Sequence, residues 1–251
     1  MSQSEKTKIN IKCLSSYDLK LIAVITMTID HVGAVLLPQY RILRCIGRIA
    51  FPIYCFMLVN GLFHTKNVLK YLGRMILLAV ISEVFFDLTF FNSFITLEHQ
   101  NVFMTLTIGL LMLILVDENR RRPLLGNAFL GVIAEGACVV LCAGIAYYLR
   151  TDYSLYGILM IYGFYVLRYS PFYLFFFELF ITKGLMRGRT QMYCMLAFIP
   201  VFLYNGKIIN ERIAIKDEKI NEKMMIVLQW FFYLYYPIHL FVLFCVRLCF
   251  T

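Results

Sequence analysis

Nine apolar runs divide this 251-residue chain, near 20–37, 45–63, 74–91, 101–116, 125–149, 154–168, 171–185, 190–204 and 227–248. A helix needs about 20 mostly apolar residues to cross the hydrocarbon of a bilayer. The runs do not alternate with period two, so barrel strands are a poor reading. Hydrophobic residues make up 61% of the chain and charged ones 16%, against roughly 45–50% and about 25% in soluble domains. One core cannot hide that much apolar surface from water, which excludes an ordinary soluble domain, and the same excess excludes disorder. The expected fold is an all-α, polytopic integral membrane helical bundle of about nine transmembrane helices. It forms a single domain over residues 1–251.

The placement of charge sets an expected orientation. Residues 1–19 are polar and lack the layout of a cleavable leader, so they read as a cytoplasmic segment before an uncleaved first span. With the N-terminus inside, sixteen Lys and Arg fall in inner loops and seven on the outer side, the bias that the positive-inside rule asks for. Lys183, Arg187 and Arg189 run against it, which weakens the topology after residue 168. The net charge of +9 therefore reads as a topology signal with some anionic-lipid contact, and no nucleic acid is expected as a partner. The expected location is the cytoplasmic membrane of a bacterium, among membrane lipids. Residues 205–226, with charges of both signs, form the one substantial loop.

The eight cysteines include no CxxC pair, and most fall in apolar runs, where cysteine packs as a small hydrophobe. No phosphate-binding loop, HExxH zinc site or GxSxG elbow is present. No metal is expected.

The informative residues are the ionisable ones inside apolar runs, because burying them in lipid costs several kcal/mol unless they face a cavity or a partner. Asp30 and His31 sit past the middle of the first run. Being consecutive, their side chains diverge by about 100° on a helix, so Asp30 is free to hold a basic group of a neighbouring span. His31 is the candidate general base. Arg44 and Arg48, four apart, share a face of the second run; they suit a phosphate or carboxylate, or Asp30 itself. Pro52 follows as a kink. Glu83 and Asp87 share a face of the third run, and Arg48 is the expected cation between them. Asn101, Thr105 and Thr107 open the fourth. His239 shares a face with Tyr235 and Tyr236 beside Pro237. His64, Lys66, Lys70 and Arg74 form a basic cluster at the inner end of the second span.

Several blocks also resemble one family. Leu19 to Gly33, Gly47-Arg-Ile-Ala-Phe-Pro-Ile53, Asn60 to Asn67, Ser82 to Asp87, Asn101 to Leu106, Asp152-Tyr-Ser-Leu-Tyr-Gly157, Tyr204-Asn-Gly206 and Phe232 to Leu240 are similar to TraX proteins, in family order over roughly residues 18–245. That family is named for a conjugation protein that acetylates the N-terminus of pilin. It is in turn similar to transmembrane acyltransferases that move acetyl groups to sugars. The resemblance implies a membrane acetyltransferase using acetyl-CoA as donor. The acceptor does not carry over; an extracytoplasmic or membrane-bound amine or hydroxyl, such as a peptide N-terminus or a glycan, is expected.

Acyl transfer needs a base for the acceptor and donors for the developing oxyanion. His31, Asp30 and His239 are the expected catalytic group, with His31 acting directly or through an acetyl-histidine. Arg48, Tyr236 and His239 are the expected oxyanion donors. Arg44, Arg48, His64, Lys66, Lys70, Arg74, Tyr156 and Tyr236 are the candidate donor-binding residues, and Glu83, Asp87 and Asn101 the surrounding polar belt. The rival is a proton-coupled small-molecule transporter that uses Asp30, Glu83 and Asp87 as a relay.

Overall fold

A computed structural model describes residues 12–186, 188–209 and 218–250. Residues 1–11 of the expected N-terminal segment and 210–217 of the expected charged loop lie outside the described residues. Within them the chain is helical: α1 Ser16–Val35, α2 Arg41–Gly47, α3 Ala50–His64, α4 Val68–Phe91, α5 Val102–Arg121, α6 Ala128–Tyr148, α7 Ser154–Val166, α8 Pro171–Leu185, α9 Phe198–Phe202 and α10 Glu218–Phe250.

Local chemistry explains the boundaries nearest the site. Ser15 caps α1 by accepting from the Asp18 backbone N–H, while Asp18 accepts from the Ser15 backbone N–H at 2.8 Å; this reciprocal box satisfies two otherwise orphaned donors. The second run is one apolar stretch but two helices. Pro52 has no N–H for the Arg48 carbonyl and crowds it, and the chain turns at Arg48 and Ile49 before α3 begins. Asn67, Asn101 and Asn127 cap α4, α5 and α6 through their side-chain oxygens.

Among the described residues, four helical segments are long and apolar enough to cross a membrane: Arg41–His64, Val102–Arg121, Ala128–Tyr148 and Ile226–Phe250. They are the candidate membrane spans of the protein, and nine spans are not shown. α1 and α4 match them in length, but α4 alone carries Lys70, Arg74, Glu83 and Asp87. α7 has 13 residues, about 20 Å of rise, short of a hydrocarbon core of about 30 Å. It is the buried centre of the bundle instead, with Tyr156, Ile158, Met160, Ile161 and Phe164 almost fully covered. The 190–204 run is not a spanning helix at all: Arg189–Ala197 is 3₁₀ and only Phe198–Phe202 is α-helical.

α6 packs few residues inward and exposes Phe129, Val132, Ile133, Val140, Leu141 and Ile145. α4 exposes Leu69, Ile76, Leu77, Val80 and Ile81. Apolar faces of that extent suit lipid rather than water. The charge inside α6 is matched: Glu135 takes a two-pronged contact from Arg120 of α5 and a hydrogen bond from the Tyr162 hydroxyl at 2.6 Å. Glu178 on α8 is fully buried, and neither of its carboxyl oxygens has a hydrogen-bond partner among the described residues.

Candidate active site

The far end of α1 presents Asp30 and His31 in different directions, as consecutive helical residues must. Asp30 faces α2. Arg44 Nη1 lies 2.5 Å from Asp30 Oδ2, and Arg48 Nη2 lies 3.2 Å from Asp30 Oδ1. The approach is close because position 47 is glycine: a Cβ there would strike the Asp30 carboxyl group. Arg48 also reaches sideways, with Nη1 donating to the Tyr153 hydroxyl at 3.5 Å and to Gln191 Oε1 at 3.4 Å. Tyr153 stacks flat on Phe51, ring centroids 3.5 Å apart. Its loop is held in a costly shape: Arg150 and Ser154, on either side of Asp152 and Tyr153, have φ of 53° and 47°. Non-glycine residues adopt that region only when their surroundings enforce it, often at functional sites.

His31 faces α10. Its Nδ1 lies 2.6 Å from His239 Nε2, with the two rings nearly parallel at 4°. His239 Nδ1 lies 3.0 Å from the Tyr235 carbonyl oxygen. The tautomers follow from the partners. A carbonyl only accepts, so His239 Nδ1 carries hydrogen and donates. In the neutral ring Nε2 must then accept, so the hydrogen between the two histidines belongs to His31 Nδ1. His31 Nε2 is left with a free lone pair, the atom a base or nucleophile needs. Thr28 of α1 holds the Tyr235 hydroxyl at 2.8 Å and so ties α10 to α1 one turn away.

Two cavities lie along α1. The first, about 230 Å³, is lined by Asp30, His31, Arg44, Arg48, Tyr153 and Tyr236, and also by His99 and Asp152. The second, about 560 Å³, opens at the other end of α1 and is lined by Lys20, His64, Lys66 and Arg74 with Asn60, Tyr71 and Tyr233. Tyr54 of α3 lines both. The larger volume is typical of small-molecule sites.

The candidates from sequence therefore separate. Asp30, His31, Arg44, Arg48 and Tyr236 line one cavity, with His239 directly behind His31; His64, Lys66 and Arg74 line the other. Lys70 is exposed and lines neither. Tyr156 is buried away from both, its hydroxyl 3.0 Å from Thr182 Oγ1. The polar belt also stands apart. Glu83 is bonded to the side chain and backbone N–H of Asn101 rather than to Arg48, and Asp87 accepts from the Thr96 N–H at 2.7 Å. Arg48 is taken by Asp30, which is nearer along the chain fold than α4. Gln191 was invisible in the sequence because its 3₁₀ segment reads as an apolar run. Tyr54 follows Arg48 by six residues and Pro52 by two, a hydroxyl in an apolar run that could have been singled out.

A family model described as TraX protein matches residues 15–247, which include every residue of both cavities named above. The chain is 36% identical over 126 residues to the probable fimbrial assembly protein FimC, serogroup H1, of Dichelobacter nodosus, covering 44% of this chain and 50% of that protein. It is 35% identical over 91 residues to the uncharacterized protein RP591 of Rickettsia prowazekii (strain Madrid E), covering 36% of this chain and 33% of that protein. The matched parts thus span half or less of these curated relatives. No solved structure matches the chain. With the family model running through both cavities and almost the whole helical chain, the protein belongs to the TraX family.

Proposed function

We propose that the protein is a membrane-embedded acetyltransferase that moves an acetyl group from acetyl-CoA to an extracytoplasmic or membrane-bound amine or hydroxyl. The observation that carries this is the meeting of a basic cavity and a histidine-bearing cavity at one residue, Tyr54. Lys20, Lys66 and Arg74 supply charge for the CoA phosphates, and the pantetheine arm runs from them towards Tyr54. With the N-terminus inside, as the positive-inside bias leads us to propose, the basic cavity opens towards the cytoplasm, where CoA is found, and the histidine-bearing cavity towards the outside. Family membership supports the chemistry, since TraX is linked to pilin acetylation. The name of the Dichelobacter relative ties it to fimbrial assembly, so the N-terminal amine of a fimbrial subunit is the first acceptor to test.

Within the site His31 Nε2 takes the acceptor's proton, or takes the acetyl group itself. Release of CoA in a burst before acceptor is added marks the second route. His239 fixes the His31 ring by accepting the His31 Nδ1–H at its Nε2. Asp30 holds Arg44 and Arg48 at the cavity wall, which keeps two cations from facing apolar surroundings alone. The relay reading of Asp30, Glu83 and Asp87 would have to join three carboxylates that bond to different partners, Arg44 and Arg48, Asn101, and the Thr96 N–H.

Purified protein incubated with radiolabelled acetyl-CoA and a panel of amine and hydroxyl acceptors is expected to transfer label and release CoA. His31→Ala is expected to abolish both while the protein still unfolds at the wild-type temperature. Absence of transfer and of CoA release, together with CoA-independent solute uptake in liposomes, rejects the enzyme reading.

A further inference from the structure

The oxyanion formed during acyl transfer needs a hydrogen-bond donor aimed at the carbonyl oxygen. The donors expected from sequence are poorly placed for it. Arg48 gives Nη2 to Asp30 and Nη1 to Tyr153 and Gln191. Both ring nitrogens of His239 are committed, one to Tyr235 and one to His31. Tyr236 lines the cavity of His31 but not the basic one. A thioester whose CoA end lies in the basic cavity brings its carbonyl towards the shared wall, and Tyr54 is the residue that lines both cavities. Among the described residues the Tyr54 hydroxyl donates to Met27 Sδ, at 3.5 Å. A thioether is a weak acceptor, so little is lost when an anionic oxygen takes its place and forms a stronger, charge-assisted bond.

Resting on the reading of the site as an acetyl-CoA-dependent transferase, we propose that Tyr54 is a catalytic residue that donates its hydroxyl hydrogen bond to the oxyanion at the junction of the two cavities. The acceptor's lone pair attacks the thioester carbonyl carbon as His31 Nε2 takes the acceptor's proton. The carbonyl π pair moves onto oxygen, and the Tyr54 O–H bonds that oxygen while keeping its proton. Collapse restores the carbonyl and breaks the carbon–sulfur bond. The proton then passes from His31 to the departing sulfur, leaving acetylated acceptor and free CoA thiol. If the acetyl group rests first on His31, the same carbonyl oxygen bears the charge and Tyr54 serves it in the same way.

The test compares wild type with Tyr54→Phe in one detergent, reading radiolabelled acetyl transfer, CoA binding by calorimetry and thermal unfolding. Loss of the single oxygen is expected to lower kcat by about 10²-fold, the usual effect of deleting one oxyanion donor. KM for acetyl-CoA, CoA affinity and unfolding temperature are expected to stay within twofold or one degree. A kcat within threefold of wild type overturns the proposal. So does a fall in CoA affinity that accounts for the lost activity, because Tyr54 is then only a wall of the cavity. Should Tyr54→Phe fail to fold, 3-fluorotyrosine at position 54 keeps the ring and sharpens the donor: a raised kcat supports the proposal, and an unchanged or lowered one overturns it. A wild-type protein that never releases CoA rejects the transferase reading itself, whereas an active wild type with an unaffected variant rejects the role of Tyr54 alone.

Discussion

His31 Nδ1 lies 2.6 Å from His239 Nε2, and the Tyr235 carbonyl behind His239 decides which of the two rings donates. One turn of α10 therefore sets the tautomer of a residue on α1. Replacing His239 by Ala removes the acceptor of the His31 Nδ1 hydrogen among the described residues and frees the ring to turn or swap tautomers. The expected result is a kcat lower by about 10²-fold, at the lower edge of what a positioned base contributes, with KM for acetyl-CoA unchanged. Steady-state kinetics with labelled donor checks this, and a variant whose loss lies wholly in KM contradicts it.

Gly47 is the point where α2 lets the Asp30 carboxyl group through. Gly47→Ala places a methyl group against that carboxyl and forces apart the Asp30 contacts to Arg44 and Arg48. Overpacking of this kind costs about 1–3 kcal/mol. Thermal unfolding in detergent is expected to shift downward, with activity falling alongside; an unchanged unfolding temperature means that the helix break is looser than the structure indicates.

Asp30 and Arg48 are 14% and 17% exposed at their side chains, so solvent screens them only in part. A double-mutant cycle built from Asp30→Asn and Arg48→Met is expected to give a coupling of about 1–3 kcal/mol. Asp30→Asn leaves Arg44 and Arg48 without their carboxylate, Arg48→Met leaves Asp30 to Arg44 alone, and the double change removes the Asp30–Arg48 contact while leaving Arg44 in place. Additive effects would show that the pair contributes nothing beyond its separate members.

Much of this was legible in the sequence, for identifiable reasons. Four-residue spacing put Arg44 and Arg48 on one face and free to meet Asp30, and the Asp30–His31 step required the two side chains to diverge; both hold in the structure. The run 45–63 announced a helix, and Pro52 its break. Hydrophobicity says that a segment is buried in protein or lipid but not which, so α7 and the 189–202 stretch read as spans when one is a short buried core helix and the other mainly 3₁₀. Nor does spacing along one helix name the partner on another. Glu83 found Asn101, which caps α5 directly beside it, and left Arg48 to Asp30. Tyr54 could be seen as a hydroxyl in an apolar run, but its place between two cavities arises only when α1, α3, α4 and α10 are assembled.

The basic cavity separates the cluster that sequence had grouped together. Lys66 and Arg74 line it, and Lys70 one turn before Arg74 does not. Lys66→Ala and Arg74→Ala are each expected to raise KM for acetyl-CoA about tenfold, as loss of a charge-assisted phosphate contact does, and the effect is expected to shrink at high salt. Lys70→Ala is expected to stay within twofold of wild type. Equal effects at all three positions would indicate diffuse attraction of the CoA phosphates with no formed cavity.

The most direct measurement is an experimental structure of the protein with CoA bound. It is expected to show the phosphates among Lys20, Lys66 and Arg74 and the thiol at Tyr54, on the side facing His31. CoA bound elsewhere, or with its thiol pointing away from His31, would contradict the two-cavity transferase outright.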